Sequence, residues 1–291
     1  MKPSSFVYHR PATIEEALDV LADVGSDGKV LAGGQSLVPL MSMRLVAPAH
    51  LVDVNRIDGL AGVRTGPDGV RVGALARHTD VERDDAAFAA VPLLRQAVSH
   101  VAHPTIRNRG TTVGSLAHAD PSGEMTAVLA LLRGTVTLVR RGGERVVDAD
   151  EFFVGPLESA VQPGELATEA FFPRPAARSG TAWTEVSRRH GDYAVCGVGA
   201  VVTLDDDQRV ESARVGLVSV GPTPVVIDVS AALAGQHHDA VDAAATSRLV
   251  VDAVDPEGDI HATAEYRRHL AGTLTGRAVS AAAGHAARRA A

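Results

Sequence analysis

The chain has 291 residues, 45% of them hydrophobic and 22% charged, with a formal net charge of −7, which suits two ordinary globular domains or one large one. The acidic balance and an aromatic content of 3% exclude a nucleic-acid binder, which needs cations for phosphates and rings for bases. Cys196 is the single cysteine, so no internal disulfide is possible. The start Met1-Lys-Pro-Ser-Ser-Phe6 lacks the apolar region of a signal peptide, and no apolar run nears the roughly 18 residues of a membrane helix, so a cytoplasmic location is expected.

Residues 13–24 read as a short amphipathic helix, with Thr13 as N-cap and Glu16 completing a capping box. Lys29 to Ala32 is strand-like, Gly33-Gly34 turns the chain, and a helix follows, capped by Ser36 with Pro39 tolerable in its first turn. Leu51 to Val54 supplies another strand, so a small, partly parallel sheet is expected at the start. Val70 to Ala74 is strand-like, Thr79 is a candidate helix cap, and Pro92 to Val101 reads as a helix stopping before His103-Pro104. Asp120-Pro121 reads as a helix start, with Met125 to Leu132 as the apolar body and Gly134 as the stop. Val136 to Arg140 and Glu144 to Val147 read as a hairpin around Gly142-Gly143.

Prolines and small polar residues cluster in Phe171-Phe-Pro-Arg-Pro-Ala-Ala-Arg-Ser-Gly180, which predicts a domain boundary near residue 176. Beyond it come strands at Ala182–Arg188, Val195–Leu204 and Val210–Val220, the second and third joined by a turn at Asp205–Arg209. Helices are expected over Ala240–Val254 and Ala262–Ala282.

Two segments bear on chemistry: Lys29-Val-Leu-Ala-Gly-Gly-Gln-Ser-Leu37 and Arg107-Asn-Arg-Gly-Thr-Thr-Val-Gly-Ser-Leu-Ala-His-Ala-Asp-Pro-Ser-Gly-Glu124. Each sets small residues and bare backbone where the chain leaves an extended run. Backbone N–H groups reach diphosphate oxygens only where no Cβ intervenes. The first segment alone reads equally well as a tight strand-to-helix turn, but the pair suggests a dinucleotide held from both sides. Thr111 and Ser115 add hydroxyls around Gly114 for phosphate, whereas Asp120 and Glu124, as acceptors, suit sugar hydroxyls or a ring. Gly197-Val-Gly199 lacks a third glycine and runs into β-branched residues, which argues against a Rossmann site. The histidines show no His-Glu-x-x-His; His100 and His103 flank a helix end, His237-His238 read as a solvated loop, and Arg188-Arg-His190 as a solvated turn. His118 beside Asp120 reads as packing near a turn more than as an acid–base pair, and Cys196 as a small buried hydrophobe.

These segments resemble the FAD-binding (medium) subunit of molybdenum hydroxylases of the carbon monoxide dehydrogenase and xanthine dehydrogenase type. The likeness extends through Glu151 to Ser159, Pro163 to Leu166, Glu185 to Ala194, Gly216 to Pro224 and Ala264 to Leu270, in order along nearly the whole chain. The resemblance implies an α+β architecture: a vanillyl-alcohol-oxidase-like (PCMH-type) FAD-binding domain over 1–176, then a smaller α/β domain over 177–291 with a three-stranded antiparallel sheet and helices. It implies that Lys29, Ala32, Gly33, Gly34, Gln35, Ser36 and Leu37 wrap the FAD diphosphate. Thr111, Thr112, Gly114 and Ser115 would lie opposite, Asp120 and Glu124 on the sugar chain or ring, and Leu166, Ala167 and Tyr193 along the ring. Val113 departs from the pattern by replacing the first glycine of a Gly-Gly pair. Ser159 replaces a threonine, Ala167 a leucine of some relatives, and Val225 an arginine.

The resemblance also implies partners. An iron–sulfur subunit would deliver electrons and a molybdopterin subunit would oxidise substrate, since one cysteine cannot build a cluster site. Rival readings are a stand-alone FAD-dependent oxidase or dehydrogenase, separated by turnover of a small organic substrate, and a flavin-free structural or ligand-binding relative, separated by the absence of flavin absorbance.

Overall fold

The structure is a computed structural model that describes residues 2–290. The N-terminal part opens with three parallel strands in the order Val7–His9, His50–Asp53, Gly28–Leu31. Helix Ile14–Val24 buries Ala17, Leu18 and Leu21 on one face, the spacing expected of an amphipathic helix. Thr13 caps it by accepting from the Glu16 N–H at 3.1 Å, while the Glu16 carboxylate reaches back to Ala12 N at 2.8 Å. A five-stranded sheet follows, ordered Val63–Thr65, Gly69–Gly73, Leu166–Pro173, Thr135–Arg140, Gly143–Asp148, with every pairing antiparallel. The expected hairpin supplies its last two strands.

The second part is an antiparallel sheet in the order Ser179–Ser187, Ala194–Leu204, Val210–Val218, Val225–Asp228. The sequence reading expected three of these strands; Val225–Asp228, only four residues long, joins as a fourth at the edge. Helix Ala264–Ala290 lies across the first two strands and runs well past Ala282, where its end was expected. An Ala-rich face lets it lie close, and a Cβ on Gly180 would strike the helix at His285 and Ala286. Two large cores result, one per part, and residues 174–178 join them. No helix among the described residues is long and apolar enough to cross a membrane.

Helix Glu124–Leu131 belongs to the first part but is buried along its entire length, because it also packs on strands Ala194–Leu204 and Val210–Val218 of the second. Gly199 and Gly216 permit this approach: a Cβ at Gly216 would lie 3.0 Å from Leu131 Cβ and 3.2 Å from Ala127 O. The Gly197-Val-Gly199 near-match to a dinucleotide fingerprint is therefore mid-strand packing, not a turn.

Three local expectations are corrected. Asp120-Pro121 does not start a helix: Asp120 Oδ1 accepts from Ser122 N at 2.8 Å in a turn, and the helix begins at Glu124 behind Gly123. Thr79 is not a cap either, since helix His78–Arg83 is preceded by Arg77, whose N–H is taken by Asp80 at 2.8 Å. Ser36 sits at the cap position of helix Leu37–Ser42 but its side chain makes no capping bond. The sequence reading also passed over helix Thr112–His118, which Thr111 caps.

Candidate functional site

The two glycine turns meet. Gly33 is buried against the backbone of the second segment, and a Cβ there would lie 2.8 Å from Gly110 Cα and 3.0 Å from Thr111 N, with Arg109 O closer still. Gly34 takes φ +72°, a left-handed conformation natural to glycine. Across residues 33 to 37 no backbone N–H finds an acceptor among the described residues, while Gln35 folds its amide back onto Gly33 O at 3.1 Å. A run of unpaired donors leading into a helix is an anion cradle. Lys29, exposed on the strand that enters the turn, makes no ion pair among the described residues.

Opposite, helix Thr112–His118 begins with Thr111, whose hydroxyl oxygen accepts from Gly114 N at 3.2 Å. A Cβ at Gly114 would collide with that hydroxyl. Among the described residues the N–H groups of Thr111 and Val113 have no acceptor, so two donors remain on this side. Thr112, expected to face the ligand, is turned inward: its N–H donates to Ala76 O at 3.3 Å and its hydroxyl bonds His78 Nδ1 at 3.1 Å. His78 is fully enclosed, and burial, with Arg107 nearby, lowers it to about 4. Val113, in place of a glycine, is 2% exposed and belongs to the core.

A polar network that the sequence reading missed locks the turns together. Arg77 donates to Arg109 O at 2.6 Å and to Asn55 Oδ1 at 2.8 Å. Asn55 Nδ2 donates to Ala32 O at 2.9 Å and Asp53 Oδ1 at 2.6 Å, and Asp53 also accepts from the Tyr8 hydroxyl. Burial works against the Asp53 carboxylate, but the bonds from Tyr8 and Asn55 hold it below the ordinary value. These residues come from five separate stretches of chain, so no local spacing announces them.

Beyond the turns, the first part meets the second along the buried helix Glu124–Leu131. Glu124 is 7% exposed; burial first, then the Glu185 carboxylate, push it up to about 8, against a hydrogen bond from its own backbone N–H. Glu185, from the second part, is raised to about 7 by burial although Trp183 Nε1 donates to it at 3.2 Å. Tyr193 stands on the same side, 67% exposed. Its loop is pinned from behind, because His190 stacks on His103 at 5.9 Å and Gly191 abuts the same ring. Leu166 and Ala167 start the central strand beneath helix Thr112–His118, but at 3% and 9% exposure they belong to the core rather than to an open wall. Cavities of about 210 Å³ beside Arg174 and Arg214 and about 390 Å³ between Phe88 and His285 lie away from the glycine turns.

A diphosphate fits this donor set: glycine backbone facing glycine backbone, unpaired N–H groups on both sides, and a free lysine at the entrance. Comparison with known proteins agrees. Residues 4–175 match the family described as FAD binding domain in molybdopterin dehydrogenase, and residues 181–282 match the CO dehydrogenase flavoprotein C-terminal domain. The chain is 40% identical to 6-hydroxypseudooxynicotine dehydrogenase complex subunit alpha of Paenarthrobacter nicotinovorans, over 97% of this chain and 96% of that one. Carbon monoxide dehydrogenase from Hydrogenophaga pseudoflava superposes with a TM-score of 0.92 at 34% identity, over 98% of this chain and 99% of that one. Quinoline 2-oxidoreductase from Pseudomonas putida 86 does so with a TM-score of 0.93 at 35% identity, over 98% and 99%. The chain belongs to the family of FAD-binding medium subunits of molybdenum hydroxylases; it is an oxidoreductase subunit and its cofactor is FAD.

Proposed function

We propose that this chain is the electron-transfer subunit of its complex, receiving electrons from the clusters of an iron–sulfur partner and handing them to an external acceptor. A molybdopterin partner would oxidise the substrate, and the assembly would work in the cytoplasm. The observation that carries this reading is the pair of facing glycine turns with unpaired N–H groups on both sides, in a chain whose length is matched throughout by subunits of such complexes.

Within it, residues 1–176 bind the cofactor and 177–291 cover it. Lys29 and residues 32–37 hold the diphosphate on one side, with Gly33 and Gly34 giving the approach and Gln35, Ser36 and Leu37 the donors. Thr111, Val113, Gly114 and Ser115 hold it on the other, with Thr112 buttressing them through His78. Asp120 and Glu124 meet the sugar chain or ring. Tyr193 covers the ring, supported by Leu166 and Ala167 from below. When bound, FAD supplies the redox chemistry, while protein groups set its orientation and electrostatics. Glu124, protonated at neutral pH, offers a hydroxyl donor as well as an acceptor, and the buried junction around it and Glu185 keeps water from that side.

Isolation from native cells tests this reading. An iron–sulfur protein and a larger molybdenum protein should co-purify with the chain, and reduction of the complex by its substrate should bleach the flavin. A monomer that oxidises a small organic substrate unaided at ordinary rates of about 1–10³ per second would overturn it.

A further inference from the structure

The proposed ring-side residues come from two domains, so those of each must be held in register with those of the other. Ser219 stands at the crossing point. It follows strand Val210–Val218 and takes φ +63°, a left-handed backbone that serine adopts only where its surroundings demand it. Every polar atom it has is engaged. Its N–H donates to Pro121 O at 2.9 Å, its hydroxyl bonds Ala194 O at 2.7 Å and Ser122 Oγ at 2.9 Å, and its carbonyl accepts from Arg267 at 3.0 Å.

Those partners are informative. Pro121 and Ser122 form the turn between Asp120 and Glu124 in the FAD domain, and Ala194 directly follows Tyr193 in the other domain. Arg267, 6% exposed on the first turn of the C-terminal helix, donates through one nitrogen to Val195 O at 2.8 Å as well as to Ser219 O. Its other terminal nitrogen donates to Asp259 Oδ2 at 2.7 Å. Asp259 is fixed in turn: burial opposes its charge, but the Ala262 and His261 N–H groups and Arg267 bring it down to about 2. A buried arginine clamped to two carbonyls and a carboxylate is a rigid anchor, because its planar fork has donors in fixed directions.

We infer that Ser219 and Arg267 are positioning residues for the flavin: Ser219 ties the Asp120–Glu124 turn to the root of Tyr193, and Arg267 anchors that tie to the C-terminal helix. The inference rests on the proposed placement of Asp120, Glu124 and Tyr193 at the flavin. A purely structural clamp would affect melting alone, whereas a positioning clamp also affects the bound flavin. Ser219→Gly separates the two, since glycine accepts the left-handed backbone without strain yet lacks the hydroxyl.

The test uses the chain purified with its accompanying subunits and FAD. Ser219→Gly and Ser219→Ala should weaken FAD binding about three- to tenfold, the factor carried by one buried neutral hydrogen bond. Arg267→Met, which removes charge-assisted bonds, should do so at least as much, and all three should alter the visible flavin band. Ser219→Gly should do so with little change in melting temperature. Val202→Ala, a fully buried change in the second core, is the comparison and should lower melting while leaving the flavin as in wild type. If Tyr193→Ala changes the flavin but the Ser219 and Arg267 variants match wild type, the clamp is structural only and the inference falls. It falls too if Val202→Ala, at equal loss of melting temperature, perturbs the flavin as much. Should neither Tyr193→Ala nor Asp120→Asn affect the flavin, the placement itself is wrong and the clamp fails with it.

Discussion

Gly33→Ala adds one methyl group where two backbones touch. Its Cβ would meet Gly110 Cα at 2.8 Å and Thr111 N at 3.0 Å, against an ordinary contact beginning at 3.4 Å. The contact with Gly110 Cα alone asks for a retreat of about 0.6 Å, taken as 3.4 minus 2.8 Å, and Arg109 O, closer still, asks for more; no side-chain rotation can absorb it because all three obstacles are main chain. Arg77 and Asn55 resist the retreat, since they tie Arg109 O to Ala32 O. Overpacking of this kind costs about 1–3 kcal/mol, a fall of several degrees in the melting temperature of the apoprotein. The larger effect is on the ligand. Displacing two N–H groups from diphosphate oxygens removes charge-assisted bonds of about 1.5–3 kcal/mol each, a loss of roughly 10²–10⁴-fold in FAD affinity. Flavin content by absorbance, and affinity by recovery of flavin fluorescence on dilution, read this directly. Gly143→Ala is the matched comparison, because a Cβ there meets nothing within 4 Å, and it should bind FAD normally. A Gly33→Ala protein with one FAD per chain and an affinity within about threefold of wild type would refute the reasoning.

Glu124 is raised from 4.5 to about 8, so between those values the folded apoprotein binds more protons than the unfolded chain. The stability this contributes is full below the lower value and is lost as pH rises through the upper one; Glu124→Gln should melt above wild type at about pH 9, with the gap closing toward about pH 5. A constant gap across that range would show that Glu124 does not titrate there. His78 is lowered from 6.5 to about 4, the opposite case: its contribution is present above 6.5 and lost as pH falls through 4. Acidification over that window should release FAD as the enclosed imidazole beside Arg107 and Thr112 becomes charged and loosens the buttress, and full retention of flavin at the acid end would contradict it. Tyr193→Ala should leave FAD bound through the diphosphate turns while shifting the flavin spectrum, its potential or its reoxidation rate; a variant unchanged in all three would place Tyr193 away from the ring.

Features with a local cause were legible in the sequence. Thr13 and Glu16 announce a helix start because both halves of that contact lie within one turn. The Gly33-Gly34 turn and the Val136–Arg140 hairpin were readable for the same reason. Where two local rules compete, the sequence misleads. Asp120-Pro121 satisfies the rule for a helix start, yet the Asp120 side chain bonds Ser122 N and Ser219 N takes Pro121 O, so the turn is held open and the helix waits until Glu124. Thr112 looks like Thr111 in the sequence; only the fold shows that Thr111 caps the helix by accepting from Gly114 N and Thr112 bonds His78.

The parts of the site that were hidden share a physical character. Tyr8, Asp53, Asn55, Arg77 and Arg109 O form one chain of hydrogen bonds, but its links span up to 45 residues of sequence. Ser219 and Arg267 reach back 97 and 72 residues to Ser122 and Val195. A diphosphate cradle needs glycine at the point of approach, which composition reveals, and stiffness behind that point, which it does not, because any buried donor or acceptor of suitable reach can provide it. Arg77→Lys therefore makes a sharp test: a single ammonium retains the charge but cannot bond Arg109 O and Asn55 Oδ1 with the geometry of a planar fork. FAD affinity should fall about tenfold if one of the two bonds is lost, with the flavin spectrum of the bound fraction unchanged, since the proposed placement puts the ring toward Tyr193. An altered spectrum at unaltered affinity would reverse that assignment and put Arg77 beside the ring instead of behind the diphosphate.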